Sequence, residues 1–364
     1  MNNFFSHVMR SFWSAACFFA LLGAACFFMD GDFVSFHQSA FLSLVPAAAY
    51  GGFLITAIPD WVSYKNDLRR VFWALFAIIA VALIAAFFEA RAASAVLAVF
   101  WLALFSFVAY MVWWGRNDNN FSILGVLALF ATLQGAFALS GDATYLRAQI
   151  HVHAAAVSIV SFRVSVALGV EALKSSNLKD PVFIPNAVFK NLAATFVLLY
   201  AFADLFVGGA VSAFVAVGAG LVILAGLREL HYFALWTPYF ALYYAFRLLG
   251  GLGYLWLGAA GILGLATSPA LHLIALCYML GVILFIFVVA GLRHSGFSDL
   301  RFGALGVGVL LAIFGAGILR AVLAGRAETL YIHVPAALLG LAFVLYLVKF
   351  LPIFLSRPFS DDPD

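Results

Sequence analysis

Charged side chains are scarce in this sequence, and their scarcity excludes an ordinary soluble domain. Only 10% of the 364 residues are Asp, Glu, Lys or Arg, whereas a soluble domain carries about a quarter. Cysteines are also few, and all three (Cys17, Cys26 and Cys277) lie inside apolar runs, which argues against a disulfide framework. No Cys-x-x-Cys-His motif occurs, which excludes covalent c-type haem, and no basic stripe points to nucleic acid.

Long uncharged apolar runs take the place of the missing charges. Runs such as 71–88, 208–227 and 273–292 contain no acid or base, and each of about 18–20 residues spans a ~30 Å hydrocarbon core as a helix. Period-two alternation is absent, so a β-barrel fits poorly. We predict an all-α polytopic membrane protein, a single domain over 1–364. Its predicted helices are 8–28, 36–58, 71–88, 92–114, 121–139, 147–174, 187–207, 209–227, 238–264, 269–292, 301–323 and 329–356.

The distribution of Lys and Arg predicts the orientation. With the N-terminus inside, thirteen of these residues fall on the cytoplasmic side, and four, Arg91, Arg147, Arg320 and Arg326, fall on the other. Cytoplasmic loops carry the excess of basic residues, so both termini are predicted to be cytoplasmic. The run 12–28 is long for a signal peptide, and we expect it to be retained as the first helix.

Five histidines fall near the outer ends of four predicted helices, the second, sixth, tenth and twelfth. They are His37, His151, His153, His272 and His333. Each lies within about two turns of its helix start, hence at most ~10 Å below the outer interface. Imidazole is a common ligand of haem iron and copper, so a haem or metal site in the outer leaflet is predicted. The alternative is interfacial histidines that face headgroups or water.

The five histidines are not equivalent as ligands. His151 and His153 are two residues apart, about 200° around a helix, so both cannot ligate one ion, and which of them faces the site stays open. His37, His272 and His333 form the predicted metal set. We expect His231 and His294 to be solvated loop residues.

Two arginines lie within predicted helices, Arg163 in the sixth and Arg247 in the ninth. A guanidinium at membrane depth is costly and is usually paired or functional. An anionic ligand such as a haem propionate or an oxyanion would supply the missing charge. The alternatives are snorkelling, or pairing with Asp204 or a carbonyl group.

Aromatic and small residues predict membrane anchoring and helix packing. The pairs 113–114 (Trp-Trp) and 243–244 (Tyr-Tyr) are interpreted as interfacial anchors. The small residues of 250–253 and 315–317 allow two helices to approach closely.

Several segments resemble the NnrS family of bacterial membrane proteins. The segment 51–61, GGFLITAIPDW, resembles its GFLLTAVPNWTG signature, and 161–164 resembles its GGRVIP element, with Arg163 on the matching arginine. His272 and the segment 292–296 resemble its HALTVG helix and LGHTG loop. The end at 351–357 resembles its PIL..PR element. The resemblance extends over most of the chain.

The resemblance implies a function in the bacterial inner membrane. Members bind haem and copper and are tied to nitric oxide stress. The resemblance therefore implies b-type haem and possibly copper as cofactors. As partners it implies membrane lipid and either nitric oxide or a redox partner. Ligands would come from the five histidines, with Arg163 on a propionate. The family's His-x-His-Glu motif is reduced here to His37 followed by Gln38. The chain could therefore bind haem and copper, bind haem alone, or keep only the fold. Whether it catalyses a reaction also stays open.

Two other functions fit the residues less closely. A secondary transporter of a small anion would use twelve helices and central arginines, and it predicts broken helices at the midplane and an internal repeat. The other function is that of a membrane subunit that anchors redox partners and has no cofactor.

Overall fold

Twelve long helices dominate the structure, a computed structural model that describes residues 3–5, 7–29, 34–116, 120–174, 176, 178, 182–231, 233–297 and 299–359. Each helix is long and apolar enough to cross a membrane. Labelled α1 to α12 in chain order, they are Val8–Phe28, Val34–Trp61, Arg69–Phe88, Ala90–Trp114, Phe121–Ser140, Thr144–Lys174, Ala187–Phe206, Gly209–Glu229, Pro238–Leu263, Ser268–Arg293, Gly303–Val322 and Thr329–Ser356.

The predicted fold class is confirmed. No strand occurs in the part of the chain that the structure describes, and the number of membrane-crossing helices is the predicted one. The largest boundary differences are small: α2 reaches Trp61 and α6 begins at Thr144, three residues beyond the predicted 58 and three before the predicted 147. The orientation of the termini stays a prediction.

Glycines in the left-handed conformation end two of the helices. Gly141 follows α5 with φ 73°, and Gly264 follows α9 with φ 66°. A residue without Cβ adopts this conformation without strain and turns the chain away from the helix axis. Such helix ends allow short connections between antiparallel neighbouring helices.

Large apolar side chains cover the outside of the helices. Phe88, Leu139 and Trp113 are 85%, 84% and 80% exposed. Such a surface is unfavourable in water and suits contact with lipid tails. Trp113 and Trp114 lie exposed at the end of α4, and their role as interfacial anchors stays a prediction.

In the described part of the chain, three helices contain a π-helical segment. These segments are Ala40–Leu44 in α2, Ile274–Gly281 in α10 and Thr329–His333 at the start of α12. The π-helix is rare and often occurs at functional sites, because its extra residue per turn redirects side chains and backbone groups. The three segments are therefore candidate positions for a functional site.

The chain divides into two compact units. Unit 1 comprises residues 1–149, 289–299 and 339–364, and unit 2 comprises 150–288 and 300–338. The predicted single domain over 1–364 stays a prediction.

Within unit 2, α8 and α9 cross at glycines. A Cβ on Gly220 would lie 2.8 Å from the carbonyl oxygen of Gly251, and one on Gly251 would lie 2.6 Å from Leu224. This contact confirms the predicted close packing at 250–253.

Candidate functional site

His37 is held by the backbone of α1 in unit 1. Its Nδ1 lies 3.0 Å from the carbonyl oxygen of Gly23, and the rings of Phe27 and Phe41 pack around it with centroids 4.4 and 4.9 Å away. A carbonyl group only accepts hydrogen bonds, so Nδ1 carries the proton. The lone pair of a neutral His37 is therefore on Nε2.

His272 in unit 2 has the same tautomer for the same reason. Its Nδ1 lies 2.8 Å from the carbonyl oxygen of Ser268, one turn earlier in α10. Nε2 again carries the lone pair. In metal proteins, ligating histidines almost always donate their second ring N–H to a carbonyl or carboxylate, which fixes the ring.

His333 lies at the end of a π-helical segment. The segment Thr329–His333 opens α12, and His333 is half-buried. Two residues before His333, the Tyr331 ring is covered by the Arg320 guanidinium, whose carbon lies 3.6 Å from the ring centroid. That cation–π contact fixes the first turn of α12 against α11 within unit 2.

All three histidines of the predicted metal set adjoin a π-helical segment. Ala40 begins one such segment three residues after His37, Ile274 begins another two residues after His272, and His333 ends the third. The coincidence links the predicted ligands to the irregular parts of their helices.

His151 and His153 lie in α6 and are both completely buried. The His151 Nδ1 is 2.9 Å from the Tyr254 hydroxyl group, and the Tyr200 ring packs edge-on at 4.6 Å. The alternative that these histidines face headgroups or water is therefore wrong for this pair. Their prediction as an extra ligand stays a prediction.

No group of three His, Cys, Asp or Glu side chains able to hold a metal ion occurs among the described residues. A copper site built from three such protein ligands is thus not formed within these ranges. A haem needs only one or two axial ligands from the protein, which is fewer than such a copper site needs. His37 belongs to unit 1 and the other four candidates to unit 2, and a cofactor shared by all five stays a prediction.

Arg247 has a protein partner that the sequence reasoning missed. Its Nη1 lies 3.5 Å from Oε2 of Glu229, and Oε1 of Glu229 lies 2.6 Å from the Lys190 Nζ. Each of these three residues is only 1% exposed. The acid that pairs with Arg247 is Glu229, so the alternative of pairing with Asp204 is wrong. Because Lys190 shares the same carboxylate, an anionic ligand for Arg247 stays a prediction.

The sequence offered little signal for this triad. Glu229 follows a long apolar run and Lys190 lies near the start of another, so the sequence alone gives no sign that the two side chains meet in the interior. Arg163, in contrast, is half-buried in the middle of α6. Its predicted pairing with a propionate stays a prediction.

The tyrosine pair of α9 is part of the interior. Tyr243 and Tyr244 are 0% and 2% exposed. The Tyr243 hydroxyl group donates to the Ser161 carbonyl group, and the Tyr244 hydroxyl group donates to Glu229. The prediction of interfacial anchors is wrong here, because the pair satisfies buried polar groups instead.

His294 is half-buried in unit 1 and is not a solvated loop residue. Its ring stacks on Phe359 at 5.1 Å, and the His7 ring stacks on the same phenylalanine at 3.4 Å. His7 Nδ1 accepts a hydrogen bond from the Met9 amide and caps α1. Burial, followed by the nearby His294 and Arg10, lowers the pKa of His7 to about 3. His231, as predicted, is exposed.

Comparisons with known proteins place the chain by sequence alone. Neither the curated proteins nor the solved structures include a match. The model of one family, described as NnrS protein, matches residues 3–357. Because the match covers nearly the whole chain and includes every histidine discussed above, this multi-pass membrane protein belongs to the NnrS family.

Proposed function

We propose that this protein binds b-type haem in the bacterial inner membrane and acts in the response to nitric oxide or in respiratory metabolism. One observation carries the proposal: His37 and His272 each donate Nδ1–H to a backbone carbonyl group, at 3.0 and 2.8 Å. Each imidazole is thereby oriented, with Nε2 able to ligate iron. His333 is the third proposed ligand.

The π-helical segments support this assignment. Each adjoins one of the three proposed ligands, and an inserted residue changes the direction of side chains within a helix. A regular helix would fix the direction of the histidine relative to the rest of its face. The π-helical segments therefore allow each histidine to be oriented as a ligand independently of the helix face that contacts lipid.

The donor set fits haem better than copper. Haem iron takes one or two imidazole ligands, whereas the described ranges hold no three-residue metal group. Copper binding would require ligands beyond such a group. Bound haem would supply an iron that exchanges electrons or binds a small gas such as nitric oxide.

The chain's own residues would orient that haem. The carbonyl groups of Gly23 and Ser268 hold the proposed ligand rings in one tautomer. Arg163 offers a half-buried guanidinium for a propionate. His151 or His153 remains a proposed additional ligand.

The visible spectrum and metal content of the detergent-purified protein test the proposal. We expect a Soret band and near-stoichiometric iron, with the band shifted or lost in His37→Ala, His272→Ala and His333→Ala. His231→Ala is the matched control because His231 is exposed, and its spectrum should equal that of the unsubstituted protein. A colourless protein without iron or copper, prepared from haem-replete cells, would refute the proposal.

The anion-transporter alternative is favoured by two central arginines. One of them, Arg247, pairs with Glu229, a carboxylate that Lys190 shares, and the other is Arg163. Uptake of a labelled anion into proteoliposomes, abolished by Arg163→Ala, is the result that would favour this alternative.

A further inference from the structure

A buried ion cluster in unit 2 joins α7, α8 and α9. The Glu229 carboxylate faces the Lys190 Nζ at 2.6 Å and the Arg247 Nη1 at 3.5 Å, and each of the three residues is only 1% exposed. Charge inside a membrane protein is costly unless an opposite charge compensates it. The protonation states of these three groups therefore decide whether the cluster is neutral.

Glu229 is ionised, because donors surround both of its oxygens. Besides the two cations, the Tyr244 hydroxyl group donates to Oε2, and the Asn186 backbone amide donates to Oε1 at 2.6 Å. A carboxylate only accepts hydrogen bonds, whereas a protonated carboxyl group would place its own O–H among these donors. The carboxylate therefore contributes one negative charge.

Lys190 is an ammonium group, because it has three acceptors. In addition to Glu229, its Nζ donates to the Ser165 hydroxyl group and lies 3.4 Å from the Ser161 carbonyl oxygen. The Ser165 hydroxyl group gives its own proton to the Phe162 carbonyl group at 3.1 Å, so it accepts from Lys190. Three acceptors match the three donors of an ammonium group, and a neutral amine lacks one of these donors.

Arg247 has more donors than Glu229 uses. A guanidinium is always charged and presents five N–H donors in a fixed planar fork. Nη1 is the atom that faces Glu229, and the buried Nε has no hydrogen-bond partner among the described residues. Two cations and one carboxylate leave the cluster with one positive charge in excess. The Nε and Nη2 edge of Arg247 is where that charge carries an unused donor.

A glycine leaves room beside this edge. A Cβ added to Gly226 of α8 would lie 2.5 Å from the Arg247 Nη2. Apart from the helix's own backbone and the chain neighbours of Gly226, the next nearest atoms to that point also belong to Arg247, at 3.5 and 4.0 Å. The edge therefore lies over a residue without a side chain, where a small ligand fits and a bulky one does not.

We propose that unit 2 binds one small, planar, monovalent oxyanion, of the size of formate or nitrate, at the Nε and Nη2 edge of Arg247. Two oxygens of such an anion match two parallel N–H donors of a guanidinium. Its charge compensates the excess positive charge of the cluster. The site uses none of the five histidines proposed for haem and is independent of haem binding.

Anion-dependent stability of the detergent-purified protein tests the site. The thermal midpoint is followed by circular dichroism while sodium formate replaces sodium gluconate at constant ionic strength. We expect a saturable rise of at least about 2 °C in formate, because a ligand that binds the folded state stabilises it. Gluconate is too large for the site, and chloride, which has no pair of oxygens, should give a smaller rise than formate. Equilibrium dialysis with labelled formate should give one bound anion per chain.

Variants of the cluster locate the bound anion. Arg247→Lys keeps the charge and removes the planar fork, and Lys190→Gln makes the remaining pair neutral. Each should reduce the formate-dependent rise at least fivefold. Glu229→Gln increases the excess charge and should enlarge the rise. Arg228→Gln, which alters the exposed neighbour of Glu229, is the matched control and should keep the rise of the unsubstituted protein.

A purely structural role of the cluster predicts the same midpoint in both salts. Equal midpoints in formate and gluconate, or no formate bound in dialysis, would overturn the proposal. A full formate-dependent rise in Arg247→Lys or in Lys190→Gln would overturn it as well. If one of these variants does not fold, the other variant and the dialysis of the unsubstituted protein decide the result.

Discussion

The Lys190 Nζ lies 2.6 Å from the Glu229 carboxylate, and both residues are only 1% exposed. The pair joins the start of α7 to the end of α8, with Arg247 of α9 on the second carboxylate oxygen. Breaking a buried ion pair on one side leaves an uncompensated charge, which costs more than the pair contributes when intact.

We therefore predict that Glu229→Gln strongly destabilises the protein. The substitution leaves Lys190 and Arg247 buried without a carboxylate, at a cost of about 3–5 kcal/mol. Denaturant unfolding in detergent, followed by circular dichroism, measures the change. Arg228→Gln alters the neighbouring, exposed charge and should change the free energy of unfolding by less than about 0.5 kcal/mol. Equal unfolding of both variants would contradict the assignment of the triad.

The crossing of α8 and α9 predicts a steric effect. Gly220→Ala places a methyl group 2.8 Å from the Gly251 carbonyl oxygen and from the Leu255 backbone. Overpacking of this kind costs about 1–3 kcal/mol. Thermal unfolding should show a lower midpoint than for Gly125→Ala, where an added Cβ meets nothing within 4 Å. A Gly220→Ala protein as stable as the Gly125→Ala protein would show that the two helices separate at little cost.

The pKa of His7 predicts a pH dependence of stability. Burial lowers this pKa from 6.5 to about 3, so between these values the unfolded chain binds a proton at His7 that the folded chain does not. The free energy of unfolding should fall as pH decreases below about 6.5, and the contribution of His7 is fully present above that value. Protonation would also remove the Nδ1 acceptor that caps α1.

Thermal midpoints measured from pH 8 to pH 4 check this dependence. His7→Gln should flatten the profile relative to the unsubstituted protein. His231→Gln, an exposed position, should leave the profile unchanged. The same slope in all three proteins would show that other groups set the pH dependence.

The bond between Tyr254 and His151 predicts a fourth effect. Tyr254→Phe removes the hydroxyl group 2.9 Å from the buried His151 Nδ1. Leaving a buried polar atom without that partner costs about 1–3 kcal/mol. Unfolding in detergent should be easier than for Tyr110→Phe, which alters a 48% exposed tyrosine, and equal midpoints would argue against the bond.

Some parts of the site could be predicted from sequence and others could not. The positions of His37, His272 and His333 near helix starts followed from the apolar runs, because the boundary of a run is local information. The Nδ1 bonds to Gly23 and Ser268 could not be predicted, since they depend on ring orientation and, for His37, on which helix lies alongside. Tyr243 and Tyr244 were misassigned because an aromatic pair near a span end has the same pattern whether it faces lipid or the interior.

The sequence by itself determined the number and bounds of the membrane-crossing helices and the family. Each span must satisfy its own backbone hydrogen bonds in lipid, so twenty apolar residues suffice to define it without reference to its neighbours. Only the tertiary structure decided which charges pair and which helix turns become π-helical. Lys190, Glu229 and Arg247 come from three different helices, and their ion pairing depends on packing in three dimensions, which no local run of residues encodes.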